Sequence, residues 1–121
     1  MKADKIFDSV MGLMFSEVSE KSDFEKIFYP TLNIILAECF EKNNILRRKK
    51  GLEVLTFIPE VSRAEDEIGY EEIMLRSIVP YGVAANLYCE EDENGITNVY
   101  REKYMMMLAE IGMAEFTEVE E

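Results

Sequence analysis

A chain of 121 residues with 48% apolar residues is long enough for one domain with a modest core, and too apolar to stay disordered. It carries a formal charge of −12, no histidine and two widely separated cysteines, Cys39 and Cys89. This removes Ser-His and Cys-His catalysis, zinc clusters and thioredoxin-like redox chemistry, and leaves two buried free thiols as the expectation.

The first helix is predicted from Ala3 to Val18, where Ile6, Phe7, Val10, Met11, Met14 and Val18 recur at three- and four-residue steps. Ser22-Asp23-Phe24-Glu25 matches a capping box and predicts a helix start, with a short turn leading to Tyr29. Pro30 cannot donate a helical hydrogen bond but suits a first turn, so the main second helix is expected to start or kink there and run to about Lys49. Its stripe is Leu32, Ile35, Leu36, Cys39, Asn43 and Leu46. Arg47, Arg48, Lys49 and Lys50 complement the negative end of the helix dipole, and Gly51 fits a left-handed C-terminal cap. The four cations are either a solvated helix end or a docking patch for an acidic surface of a neighbouring subunit.

From Leu52 to Gly69 the helical period disappears. Leu52, Val54, Thr56 and Ile58 alternate with Glu53, Leu55 and Phe57 ahead of Pro59, which predicts a short extended arm or edge strand. Phe57 and Ile58 either cover the end of the bundle or form an exposed arm that meets a partner. Leu52, Val54, Phe57 and Ile58, with Arg47, Arg48, Lys49 and Lys50, are the candidate partner-binding residues.

The third helix is predicted over about Glu71 to Glu90, on Met74, Ile78, Tyr81, Ala85 and Tyr88, with a kink near Arg76 imposed by Pro80. Gly82, Ala84 and Ala85 leave room for close helix approach or, alternatively, for a ligand cleft. A turn at Asp92, Asn94 and Gly95 leads to a fourth helix from about Thr97 to Ile111, on Tyr100, Tyr104, Met107, Leu108 and Ile111, with Gly112 as its stop. Only part of the run Met105-Met106-Met107 can be core, and the remainder suggests a contact surface. Residues 113–121 form a short acidic tail, expected to fray, so the domain is read as 1–112. The fold class is therefore all-α: a small bundle of four to five helices, with the extended arm between the second and third main helices. Pro30, Cys39, Glu41 and Asn44 recur fifty positions later as Pro80, Cys89, Glu91 and Asn94, too few identities to establish a duplication.

No constellation carries chemistry. Glu90, Asp92, Asn94 and Gly95 fall at the first, third, fifth and sixth positions of an EF-hand loop, but the closing glutamate is replaced by Arg101, a cation where a bidentate carboxylate is needed. Adjacent pairs such as Glu71-Glu72 diverge by ~100° on a helix and do not face each other. No glycine-rich phosphate loop is present. The reading is a non-enzyme without metal or cofactor. No apolar run approaches the ~20 residues of a membrane span and the N-terminus has no signal-peptide h-region, so no membrane role and a cytoplasmic site of synthesis are expected.

Charge is unevenly spread. Residues 1–63 hold ten Lys/Arg and ten Asp/Glu, whereas residues 64–121 hold three against fifteen. Nucleic-acid binders neutralise phosphates with Lys and Arg, so a surface this acidic points instead to a protein partner, including another copy of the chain.

The order Phe57-Ile58-Pro59-Glu60, Asp66-Glu67-Ile68, Tyr81-Gly82-Val83-Ala84-Ala85, Leu87-Tyr88, an acidic turn and Tyr100-x-x-x-Tyr104 resembles that of small helical head-tail connector, or neck adaptor, proteins of tailed bacteriophages. The resemblance covers about Asp4 to Gly112. It implies a virion structural protein, assembled from the host bacterial cytoplasm into a ring between portal and tail or stopper proteins, that extends the DNA channel. It matches Leu52 to Ile58 with the family's interhelical arm, which contacts neighbouring ring components. The proline-broken helices and the acidity depart from the family. A reading from another class is an acidic inhibitor that mimics DNA, which requires carboxylates spaced like phosphates over one face; here they cluster at turns and in the tail.

Overall fold

A computed structural model of the chain describes residues 1–14, 18–90 and 94–120, with side chains for 1–14, 23–88 and 95–111. Among these the regular structure is all α: α1 (Ala3–Leu13), α2 (Val18–Lys49), a π-turn (Met74–Ile78) that continues into α3 (Val79–Glu90), and α4 (Asn94–Glu120). Residues 52–70, between α2 and the π-turn, form an irregular arm with no strand; a single β-bridge among the described residues pairs Lys2 with Glu67.

α3 is the central helix, and its sequence says why. Val79, Val83, Ala84, Ala85 and Leu87 are buried on every side, and a helix that is apolar all round is stable only when surrounded. α1, α2 and α4 all pack against it. Gly82 permits the closest approach. A Cβ built there would lie 2.8 Å from the Tyr104 ring of α4 and 3.1 Å from Ile35 of α2, so the small-residue face serves packing. The predicted stripes supply the rest of the core: Ile6, Val10, Met11 and Met14 from α1, Leu32, Ile35, Leu36 and Cys39 from α2, and Tyr104 and Leu108 from α4. Met105 and Met106 are exposed, and Met107 is only partly covered.

Tyrosines tie the helices together. Tyr100 packs edge-on against Tyr81 and tilted against Tyr88, and its hydroxyl donates to the Leu13 carbonyl at 2.9 Å, satisfying one of the free carbonyls at the end of α1. Tyr70 donates to the Leu36 carbonyl of α2.

Several helix boundaries differ from the sequence expectation. α1 ends at Leu13 rather than Val18, and α2 begins at Val18, so the capping-box residues Ser22 to Glu25 lie inside a helix instead of starting one. The buried residues Phe24, Phe28 and Leu32 recur at four-residue steps only if that helix is continuous, and Phe28 meets Phe7 of α1 edge-to-face at 4.9 Å. α2 also runs through Pro30 rather than starting there. Pro30 lies on the exposed face, where water can take the carbonyl it leaves unpaired, while burial of the surrounding apolar residues outweighs the ~3 kcal/mol cost of an interior proline. Pro80 acts differently. The π-turn immediately before it, in which the Val79 N–H donates to the Met74 carbonyl five residues back, widens the helix around Arg76, whose carbonyl an ordinary α-turn would drive into the proline ring. The expected kink near Arg76 is thus realised as a π-turn. Finally, α4 passes through Gly112 to Glu120, so residues 113–120 continue a helix rather than forming a frayed tail; one interior glycine costs only ~1 kcal/mol. The acidic turn at Asp92 and the Cys89 side chain lie outside the described residues.

Candidate interaction surface

The arm between α2 and α3 is held by asparagines. Asn44 of α2 makes a two-pronged contact with Leu55: the Leu55 N–H donates to Asn44 Oδ1 at 2.8 Å, and Asn44 Nδ2 donates to the Leu55 carbonyl at 3.1 Å. Asn33 does the same for Val61, at 2.8 and 2.9 Å. Each side-chain amide imitates the peptide group of a neighbouring strand, so the helix takes the place of a sheet partner. Asn33 and Asn44 are eleven residues apart, which on an α-helix is three turns plus ~20°, so they share one face. The arm therefore runs back along α2, antiparallel to it. Between the two clamps the helix rises ~16 Å while six extended residues span ~20 Å, and the surplus is taken up by a bend at Thr56 and Phe57.

That bend turns Phe57 outward, leaving it 84% exposed, beside Ile58 at 50%, Leu52 at 45% and Val54 at 40%. Leu55 and Pro59 are partly covered, and Val61 is buried. Of the two open readings, cover for the bundle end or exposed arm, the geometry is that of an exposed arm on a fixed support.

Both ends of the arm are fastened. At its start Gly51 has φ +75°, and the Leu52 N–H donates to the Arg47 carbonyl at 2.9 Å while the Gly51 N–H donates to the Arg48 carbonyl at 3.0 Å, the pattern of a Schellman cap. Arg47 Nε donates to the Glu53 carbonyl. Arg47 and Lys50 reach Glu71 at 3.4 and 2.7 Å, and the Glu71 N–H donates to Asn43 Oδ1 at 2.7 Å, closing the loop at its base. Arg47 and Lys50 thus fasten the arm from within the chain, while Arg48 and Lys49 are exposed on the same turn. At the far end the Ala3 and Asp4 N–H groups, which open α1 and have no helical acceptor, donate to the Asp66 and Ala64 carbonyls at 2.9 and 3.0 Å. The Asp66 carboxylate accepts from the Ser62 and Arg63 N–H groups and from Arg63 Nε, and these bonds hold its carboxyl below the usual aspartate range. The exposed apolar side chains of the arm fall between these two fastenings, within residues 52–58.

On the far side of α2 lies an apolar groove of about 490 Å³, lined by Leu46 of α2, Ile73 and Ile78 at the π-turn, and Met107 and Ile111 of α4, with Lys49 and Glu110 at its lips. Leu46 and Lys49 lie ~140–200° around the helix from Asn44, so arm and groove occupy opposite sides of α2.

The titratable groups of the interior form a structural network. Tyr104 donates to Glu38 Oε1 at 2.7 Å and lies 3.5 Å from Cys39 Sγ. Burial pushes the Cys39 thiol up to about 11 and raises the Tyr104 hydroxyl, which the neighbouring Cys39 raises further. Neither is ionised at neutral pH, so neither is poised as a nucleophile. Among the described residues no group of three or more His, Cys, Asp or Glu is placed to hold a metal ion, and no helix is long and apolar enough to cross a membrane.

The asparagine clamps are what sequence reasoning missed. Asn43 enters the sequence pattern only as part of the stripe, and Asn33 enters it not at all; the eleven-residue spacing of Asn33 and Asn44 beside an extended segment is the signal that could have found them. Comparison with protein-family models, with curated proteins and with solved structures found no match.

Proposed function

We propose that the chain is a head-tail connector of a tailed phage or prophage: a virion structural protein that forms a ring between the portal and the tail or stopper proteins and extends the DNA channel. The observation that carries this reading is the arm. Phe57, Ile58, Leu52 and Val54 stand exposed on a segment whose flanks are clamped to α2 and α1, which gives a preorganised apolar contact surface at little ordering cost on binding. Its place between the second and third main helices is the one expected from the resemblance. The charge distribution agrees, because a ring needs one face to complement a different face of the same molecule, and a neutral half beside an acidic half offers that. Acidic residues toward the lumen would also keep DNA from adhering as it passes.

Electron microscopy and light scattering of the protein, alone and mixed with the portal of the phage or prophage that encodes it, test the reading. Rings on the portal are expected. A chain that remains monomeric and ignores the portal overturns it, and displacement of the chain from a nuclease or repressor by duplex DNA would favour the DNA-mimic class instead.

A further inference from the structure

Resting on the reading of the arm as an assembly surface, we infer that the groove between α2, the π-turn and α4 is the receptor for the Phe57-Ile58 knob of a second copy of the chain. The knob cannot fill its own groove. The Asn33 and Asn44 clamps hold it on one side of α2, and Leu46 and Lys49 place the groove on the other, across a helix ~10 Å thick. Knob and hole on opposite sides of one molecule make a heterologous contact, in which each copy gives with one face and receives with the other; repeated, it closes into a ring or runs on as a filament.

Size and charge fit this occupant. The groove, about 490 Å³ and lined by Leu46, Ile73, Ile78, Met107 and Ile111, has room for a phenylalanine and an isoleucine side chain together. The knob is flanked by the exposed carboxylates of Glu53 and Glu60, while the groove carries Lys49 on its α2 lip and Glu110 on its α4 lip, which orients the acidic flanks toward α2. The arm's exposed apolar side chains amount to roughly a few hundred Å², short of the roughly 800 Å² per partner of a stable complex. A single contact is therefore weak. In a closed ring every copy makes it twice, once with its knob and once with its groove, so the surface buried per copy doubles and assembly becomes cooperative.

Disulfide trapping tests this without any portal. Phe57→Cys and Ser77→Cys, the latter in the groove lining, are made separately in a Cys89→Ser background, checked by circular dichroism and thermal melting, and oxidised alone and mixed at high protein concentration. The mixture is expected to give, as the main product, a heterodimer linked between position 57 of one copy and position 77 of the other, in several-fold excess over either homodimer. A chain carrying both substitutions should give a ladder of higher oligomers. Adding Ile73→Asp, at an exposed position, to the Ser77→Cys chain should abolish the heterodimer while circular dichroism and melting stay close to those of the parent. Predominant Phe57→Cys homodimers, or no heterodimer above the level of the Ile73→Asp control, overturn the inference. A trapped heterodimer from a chain that ignores the portal would keep this contact and discard the connector reading.

Discussion

Replacing Asn44 by alanine removes both hydrogen bonds to Leu55 while leaving the buried apolar face of α2 intact. Each such bond contributes about 1 kcal/mol net, and because the arm is half-exposed, water can take over part of the lost pairing. The expected cost is about 1–2 kcal/mol, confined to opening of the arm. With about 1.4 kcal/mol to each factor of ten, amide exchange at Leu55 should accelerate by roughly five- to thirtyfold. Asn33→Ala should do the same for Val61, whose N–H also faces an asparagine oxygen at 2.8 Å. The two effects should be separable, since the clamps lie at opposite ends of the bend. Hydrogen exchange followed by NMR resolves the two amides individually, with Val83 in central α3 as the internal reference. Unchanged protection at Leu55 in Asn44→Ala would refute the clamp. Equal acceleration at Leu55 and Val83 would refute its local character, because it would mean that the whole domain had been destabilised.

Gly82→Ala should destabilise the fold by about 1–3 kcal/mol despite the better helix propensity of alanine, because the new methyl lies 2.8 Å from the Tyr104 ring; a denaturant titration that shows a gain would contradict the packing. Stability should also fall as pH rises from about 9 toward about 11. The Cys39 thiol ionises near its ordinary value of 9.0 in the unfolded chain but near 11 in the folded one, so above 9 the unfolded state binds fewer protons and gains; Tyr70 and Tyr104, raised by burial, add to the slope. Chemical denaturation across that range checks the sign, and a flat profile would contradict it. In a Cys89→Ser background, a thiol reagent at neutral pH should leave Cys39 unmodified until denaturant is added. Glu71→Gln should cost about 1–3 kcal/mol in a denaturant titration, since the largely buried carboxylate bonds to both Arg47 and Lys50 and its loss leaves the mostly covered Arg47 with a weaker partner; an unchanged stability would contradict this role.

The parts of this fold written in local patterns were legible in the sequence. Apolar residues at three- and four-residue steps placed the core faces of α1, α2 and α4, Gly51 marked the end of α2, loss of helical period marked the arm, and the small residues around Gly82 marked a close crossing. The misplaced boundaries at Ser22 and Pro30 share a cause. Pro30 is a stop signal worth a few kcal/mol at most, and Ser22 a start signal worth less, whereas burial of Phe24, Phe28 and Leu32 on one continuous face is worth more than either. Gly112 misled because one interior glycine costs too little to end a helix. The π-turn reconciles Pro80 with a central helix in a way that local propensity does not distinguish from a break. For the arm, composition and alternation located Phe57 and Ile58, but what holds them out is a pair of contacts between residues eleven and twenty-eight positions apart, side chain to backbone. Such contacts have no period of their own and become visible only when the arm is laid against the helix.

The central claim is that assembly runs through the exposed arm, and Phe57→Asp tests it most directly. Phe57 is 84% exposed and makes little contact with its own chain, so the variant should melt within about a degree or two of the wild type. Mixed with the portal and viewed by electron microscopy, the wild type should form rings and the variant should not. Rings of normal number and appearance from Phe57→Asp would contradict the account.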